Sequence, residues 1–321
     1  MNLNINFSEK LGAIKPMHAV NNAPVRPMRT QCRGNFDTFK ALKIPYARTH
    51  DASLSEIYGS QHVMDVHCIF ADFSRDPDDP TAYDFRNTDQ YVRTCFDADC
   101  EIYYRLGTSI EHLPGKYGSV KPKDPLKWAK ICEHIIMHYT EGWADGFNYN
   151  ITYWEIWNEP DNYEDINENQ MWRGTKEQYY ELYDVASKHL KKCFPHLKIG
   201  GYASCGFYAI SRTFVKEANS SPRKEYFIEF FDGFLDYIKK NDCPMDFFSW
   251  HVYGATVEKV QTKIRIYRQL LDDNGYTETE SILNEWNYVK GWGGQDWIES
   301  LDTEVSMKGA AFIAGSIAAC Q

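Results

Sequence analysis

The stretch Tyr153–Asp161 reads YWEIWNEPD. Tyr153, Trp154, Ile156 and Trp157 form the aromatic and β-branched run that suits a buried strand. The step Asn158–Glu159–Pro160 ends it, since proline cannot continue a sheet ladder. A second run, Ser281–Tyr288 (SILNEWNY), places another glutamate, Glu285, directly after an asparagine. Two carboxylates far apart in sequence, each at the exit of an apolar strand, suit glycosidic bond cleavage. One carboxyl then acts as acid and base and the other as nucleophile, about 5 Å apart where configuration is retained.

Working outward from Tyr153, strand-like and helix-like segments alternate. His18 marks a first strand end, just past the apolar turn at Leu11–Ile14. Further strands are read at Ile44–His50, Cys100–Thr108, Ile151–Asn158, Lys198–Ser204, Met245–Tyr253 and Ser281–Trp286. Helical patterns are read at Phe36–Leu42, Thr88–Phe96, Pro125–Tyr139, Thr175–Lys192, Lys224–Lys240, Val257–Asn274 and Thr303–Ala319. Pro125 stands where a first helical turn needs no N–H, and Thr175 with Gln178 has capping-box spacing. Repeated strand–helix units predict a parallel sheet, and their number predicts an α/β (β/α)8 TIM barrel. A doubly wound open sheet is the alternative, disfavoured because no glycine-rich phosphate loop follows the first strand.

The pattern stops after the seventh helix, so the barrel reads as truncated before its eighth strand and any C-terminal β-domain. An incomplete barrel has two unpaired edges, which are prone to aggregation. The expectation is that the natural protein continues beyond Gln321. Residues 1–10, with alternating Leu3, Ile5 and Phe7, read as an N-terminal strand pairing with that absent domain, and residues 11–321 as the incomplete catalytic barrel. The loop Asp72–Phe85, rich in Asp and Pro, is expected to rim a substrate pocket.

Composition narrows the partners. A formal charge of −10 argues against nucleic acid, because no basic surface is present to neutralise phosphates. Aromatics make up 15% of the chain, which serves core packing and also sugar stacking, since a pyranose offers an apolar C–H face to Trp or Tyr. The nine cysteines are scattered, with no CxxC and no zinc-ligand spacing, which fits a reducing compartment. No leader pattern opens the sequence and no apolar run is long enough to span a bilayer, so a cytoplasmic location is expected.

Trp154–Pro160 (WEIWNEP), Trp250–His251–Val252–Tyr253 (WHVY), Glu285 and Arg48 together resemble the retaining (β/α)8 glycosidases, and most closely glycoside hydrolase family 39, the β-xylosidase and α-L-iduronidase family. The resemblance spans His18 to Trp292, and its most specific part is the Asn-Glu-Pro strand end. It implies Glu159 as acid/base, Glu285 as nucleophile, a carbohydrate substrate (a β-xyloside by resemblance alone), and neither metal nor organic cofactor. The strand-three end, Arg105–Leu106–Gly107–Thr108, departs from the family's pattern and leaves the substrate open.

Physical roles for the neighbours follow. Asn158 suits a sugar 2-hydroxyl or braces the turn before Pro160. Arg48 suits a place beside Glu285, or an interior ion pair with Glu155, which shares strand parity with Glu159. Tyr253 suits a hydrogen bond to the nucleophile carboxylate. His50 and His251 suit sugar hydroxyls or purely structural bonds. Of Trp286, Trp292 and Trp297, Trp292 in the Gly-flanked loop KGWGGQ is the favoured sugar platform. Two rival readings remain: a non-catalytic carbohydrate-binding barrel, and a metal-dependent hydrolase built from His18, His50, His251 and Glu285.

Overall fold

A computed structural model of the chain describes residues 8–9, 12–26, 34–50, 62–111, 115–205 and 221–321. The N-terminal strand expected around Leu3–Phe7 lies outside them. Seven parallel strands form one sheet in sequential order: β1 (Val20–Asn21), β2 (Tyr46–Arg48), β3 (Glu101–Leu106), β4 (Tyr153–Ile156), β5 (Lys198–Ser204), β6 (Phe247–Gly254) and β7 (Glu280–Tyr288). Helices on the outside complete a nearly closed barrel. They are α1 (Phe36–Ala41), α2 (Val66–Ile69), α3 (Arg86–Asp97), α4 (Pro125–Thr140), α5 (Lys176–Cys193), α6 (Pro222–Lys240), α7 (Val257–Asp273), α8 (Gly294–Glu304) and α9 (Met307–Cys320).

Local chemistry sets the helix starts. Asp124 accepts from the Lys127 N–H at 3.0 Å, ahead of Pro125 at the first helical position. Thr175 and Gln178 form the expected reciprocal capping box on α5. Each satisfies backbone donors that have no partner inside the helix.

Strand alternation sorts the side chains. Tyr104 and Trp154 point outward and stack at 4.6 Å, within the aromatic layer that α4, α5 and α6 cover. Tyr103, Glu155 and Phe247 point inward. Most of the aromatic excess therefore builds the core: Trp154, Trp157, Trp172 and Trp250 are fully buried.

The sheet is open between β7 and β1, and among the described residues no strand pairs with their outer edges. A cavity of 730 Å³ fills the gap, lined there by Val20, Leu283, Trp286, Ile313 and Ile317. It runs up to Arg48, Glu285 and Trp292 at the C-terminal mouth. Residues of β7 are accordingly half-buried where those of β6 are almost all buried.

Several expectations are corrected. The first strand lies past His18, so His18 is not at a strand exit; its Nε2 bonds to the Lys43 carbonyl at 3.0 Å. The helix read at Thr303–Ala319 is two helices, because Ser306 caps a new one, and Trp297 sits on α8. The short α2 had no periodic signal at four residues. The Asp72–Phe85 loop does not rim the cavity. Instead Tyr83 stacks on Phe85, and Phe85 stacks on His138 of α4 at 3.6 Å, so apolar burial against the outer layer holds the loop.

Candidate active site

β4 ends at Ile156, and the chain then turns sharply. Trp157 and Glu159 both take left-handed backbone angles, φ 74° and 45°. Non-glycine residues rarely adopt this region, and surrounding contacts must hold them there. The Trp157 N–H reaches the Leu106 carbonyl and its indole donates to the Met171 carbonyl at 2.7 Å, while the Glu159 N–H reaches Ala203. This turn sends Trp157 outward against Trp128 and Trp172, and brings Asn158 inward to Arg48. Strand parity therefore does not extend past Ile156.

A second departure from regularity lies on β7. Trp250 pairs with Leu283 but His251 pairs with Glu285, so Asn284 is an extra residue, a β-bulge. Bulges re-aim side chains that alternation would put on opposite faces. Here consecutive residues both face inward: Asn284 donates to Glu155 Oε1 at 2.6 Å, and Glu285 meets Arg48.

Arg48, on β2, is the hub. Its Nε donates to Glu155 Oε2 at 2.8 Å, its Nη1 to Glu285 Oε2 at 3.1 Å, and its Nη2 to Asn158 Oδ1 at 2.5 Å. Glu155 is fully buried and also accepts from the Tyr103 hydroxyl at 3.2 Å. The two roles weighed for Arg48, beside Glu285 and paired with Glu155, are thus filled by one guanidinium. Removing one partner of a buried ion pair leaves an uncompensated charge. Glu155→Ala is accordingly expected to destabilise the fold by roughly 3–5 kcal/mol, read from urea unfolding. A cost under about 1 kcal/mol would show that Glu155 does not hold Arg48.

Glu285 is gripped from several sides. The Tyr253 hydroxyl donates to its Oε1 at 2.5 Å, His50 Nε2 lies 3.5 Å from its Oε2, and His251 Nδ1 lies 3.6 Å from the same oxygen. Burial alone would raise its pKa, but the facing imidazoles, Arg48 and the Tyr253 hydrogen bond outweigh it and hold the carboxyl well below the usual range. Burial and the neighbouring Arg48 push the His50 pKa well below its ordinary value. For His251, burial opposes protonation, yet Glu285 and Glu159 raise its pKa.

Glu159 accepts from Asn162 Nδ2 at 3.0 Å and shares a 2.7 Å contact with His251 Nδ1. One carboxylate oxygen each of Glu159 and Glu285, with a ring nitrogen of His251, lie within 4.8 Å of one another. Both carboxyls retain some solvent access, 14% and 15%, at the top of an otherwise buried network. Among the buried polar atoms of these residues, Asn158 Nδ2, His251 Nε2 and Asn284 Oδ1 have no hydrogen-bond partner.

Trp292 is 62% exposed at the rim, edge-on to Tyr253 at 4.9 Å and stacked on Trp297 at 5.5 Å. Trp286 instead packs outward against Phe312 of α9. The structure thus brings Glu159, Glu285, Asn158, Arg48, His50, His251, Tyr253 and Trp292 to one end of the barrel. His18 stands apart on Lys43, so the four-residue metal set is not assembled. Asn284, Asn162 and Tyr103 also join the site. Their recruitment depends on the bulge, the turn and the barrel interior, none of which periodicity reveals.

The sequence profile described as Glycosyl hydrolases family 39 matches residues 14–285. A β-xylosidase of Caldicellulosiruptor saccharolyticus is 24% identical over 264 residues, 79% of this chain and 46% of that protein. A β-xylosidase of Geobacillus stearothermophilus is 28% identical over 152 residues, 46% of this chain and 25% of that protein. Among solved structures, a glucosidase of Croceicoccus marinus superposes with a TM-score of 0.74 at 26% identity, covering 96% of this chain and 56% of that one. A monomeric β-xylosidase of Caulobacter crescentus shares the fold, with a TM-score of 0.63 at 16% identity over 98% of this chain and 60% of that one. The chain spans half or less of the length of these curated relatives. With a profile match that runs from before β1 into β7, the chain belongs to glycosyl hydrolase family 39.

Proposed function

We propose that this chain hydrolyses terminal glycosidic bonds by double displacement with retention, on β-xylosides or closely related β-glycosides. The observation that carries the reading is the approach of Glu159 and Glu285 to within 4.8 Å. That spacing suits a direct attack by one carboxylate; inversion needs roughly 6.5–9.5 Å to admit a water. Glu285, kept anionic by Arg48 and Tyr253, attacks the anomeric carbon and forms a glycosyl–enzyme. Glu159, carrying a proton, passes it to the leaving oxygen. The resulting carboxylate then takes a proton from water, which releases the sugar with its configuration retained.

Surrounding groups support both half-reactions. Asn158 Nδ2, buried and unpartnered, offers its N–H to the hydroxyl next to the anomeric centre, a contact that strengthens as positive charge develops. His251 spans the two acids and supplies a hydrogen bond to Glu159 whichever of the pair holds the proton. Trp292 gives an apolar face for a sugar ring. The β-xylosidase names of the curated relatives support the substrate class, while the structure at TM-score 0.74 carries the name glucosidase. A metal-dependent reading is disfavoured by charge, because the Arg48 guanidinium already lies 3.1 Å from Glu285 and would repel a divalent ion.

A panel of p-nitrophenyl glycosides, followed by NMR of the first-released anomer, tests the proposal. β-Xyloside turnover giving the β-anomer is expected; initial release of the α-anomer would overturn the mechanism. Arg48 further predicts the pH response. His251, His50 and Arg48 together depress the Glu285 pKa against burial, so the acidic limb of kcat/KM should lie below the ordinary glutamate range. Removing the positive charge in Arg48→Met raises that pKa, and the acidic limb is expected to move towards neutrality by about one unit or more. An unmoved limb would mean that Glu285 does not set it.

A further inference from the structure

A cluster on the outer helical layer plays no part in the chemistry above. His189 and Cys193, one turn apart on α5, project from the same helix face, as residues four apart do. Glu133 reaches them from α4, which packs alongside α5. Its Oε2 is 2.5 Å from His189 Nε2, and Cys193 Sγ is 3.9 Å from that same nitrogen. One donor atom from each of the three side chains lies within 4.8 Å of the other two. α5 ends just before β5 begins, so the cluster sits towards the end of the barrel opposite the mouth.

We infer that Glu133, His189 and Cys193 form a binding site for a divalent transition-metal ion of the zinc class, which ties α4 to α5. The donor set is imidazole nitrogen, thiolate sulfur and carboxylate oxygen, the three ligand types that zinc accepts. A tetrahedral ion with bonds of about 2.0–2.3 Å holds its donors roughly 3.3–3.7 Å apart. The nitrogen–sulfur separation is already close to that. The shorter Glu133–His189 contact opens by about 1 Å when an ion replaces the shared proton, a shift that rotation of the partly exposed Glu133 side chain supplies. Water completes the fourth position, because Cys193 stands at the surface.

Bound as a thiolate, a carboxylate and a neutral imidazole, the three side chains would place two anionic ligands and one neutral ligand around a dication. The other cysteines have no such arrangement: among the described residues, the remaining ligand cluster is Glu159, His251 and Glu285 at the mouth, which has no sulfur.

The test titrates the full metal-free chain with Co²⁺ and Zn²⁺. One equivalent of Co²⁺ is expected to produce a thiolate-to-metal charge-transfer band. Zn²⁺ at a hundredfold excess over its Kd is expected to raise Tm by roughly 3–6 °C. Cys193→Ser should abolish the band, and His189→Ala should weaken binding at least tenfold. Glu133→Gln, a conservative change at a partly exposed position, should weaken it less. Glycosidase turnover should be unchanged in all three. Absence of a one-equivalent site in the wild-type chain, or a band and Tm shift that survive both Cys193→Ser and His189→Ala, would overturn the inference. Neither outcome bears on the glycosidase reading.

Discussion

Glu285→Gln is expected to lower kcat by about 10⁴-fold or more, with KM changed far less, because the amide can neither attack the anomeric carbon nor carry negative charge. The loss should be nearly independent of the leaving group, since formation of the glycosyl–enzyme itself is blocked. Geometry explains why no neighbour substitutes. Glu155, another carboxylate in the barrel interior, is fully buried beneath Arg48 and committed to Arg48, Asn284 and Tyr103. Glutamine keeps the size of the side chain, its one oxygen can still accept from Arg48, and its NH2 can donate to the Tyr253 hydroxyl oxygen, so the fold is expected to persist by circular dichroism. Steady-state kinetics on the best p-nitrophenyl glycoside measure the effect. A folded Glu285→Gln protein retaining more than about a tenth of wild-type kcat would remove Glu285 from the nucleophile role.

The second large effect concerns Glu159. Glu159→Ala is expected to cost about 10²–10⁴-fold on alkyl glycosides, whose leaving groups need the proton. On aryl glycosides with acidic leaving groups, formation of the glycosyl–enzyme should be much less affected. The intermediate then persists, because no base remains to activate water. Added azide should restore turnover, since the small anion fits the space left by the carboxylate and attacks without needing a base. The product should be a glycosyl azide of retained configuration. The same experiment separates the enzyme from a carbohydrate-binding barrel, which shows no turnover with or without azide. Azide that leaves the rate unchanged and gives no azide adduct would dismiss Glu159 as acid/base. His251 sharpens the expectation: with Glu159 gone, its Nδ1 loses a 2.7 Å partner but keeps Glu285 at 3.6 Å, so the ring stays in the site.

Much of this site could be read along the chain because its members stand close to strand exits. Tyr153–Trp157 is an aromatic-rich run closed by Asn158-Glu159-Pro160, and Ser281–Tyr288 repeats the Asn-Glu step. Parallel strands then face all their exits the same way, so local sequence foretold which residues share an end. Arg48 and Tyr253 were legible for the same reason. What failed was anything that depends on a partner element. His18 looked like a strand exit, but the strand forms two residues later, where β2 supplies its hydrogen bonds. Thr303–Ala319 looked continuous, yet Ser306 offers its side chain to the Gly309 N–H and starts a new helix. The Asp72–Phe85 loop looked like a pocket rim because it is long and polar, while its few apolar residues, Tyr83 and Phe85, decided where it lies.

The sequence by itself determined the repeating strand–helix order, the buried apolar stripes and the placing of Glu159 and Glu285 near strand exits, because these follow from side-chain periodicity and backbone preference within one segment. Only the tertiary structure decided that Asn284 and Glu285 face the same way, that the turn at Trp157 brings Asn158 to Arg48, and that one guanidinium serves Glu155 and Glu285 at once. Those outcomes come from strands far apart in sequence competing for a small set of buried charges, and such a balance is settled only when the barrel brings them within hydrogen-bonding reach.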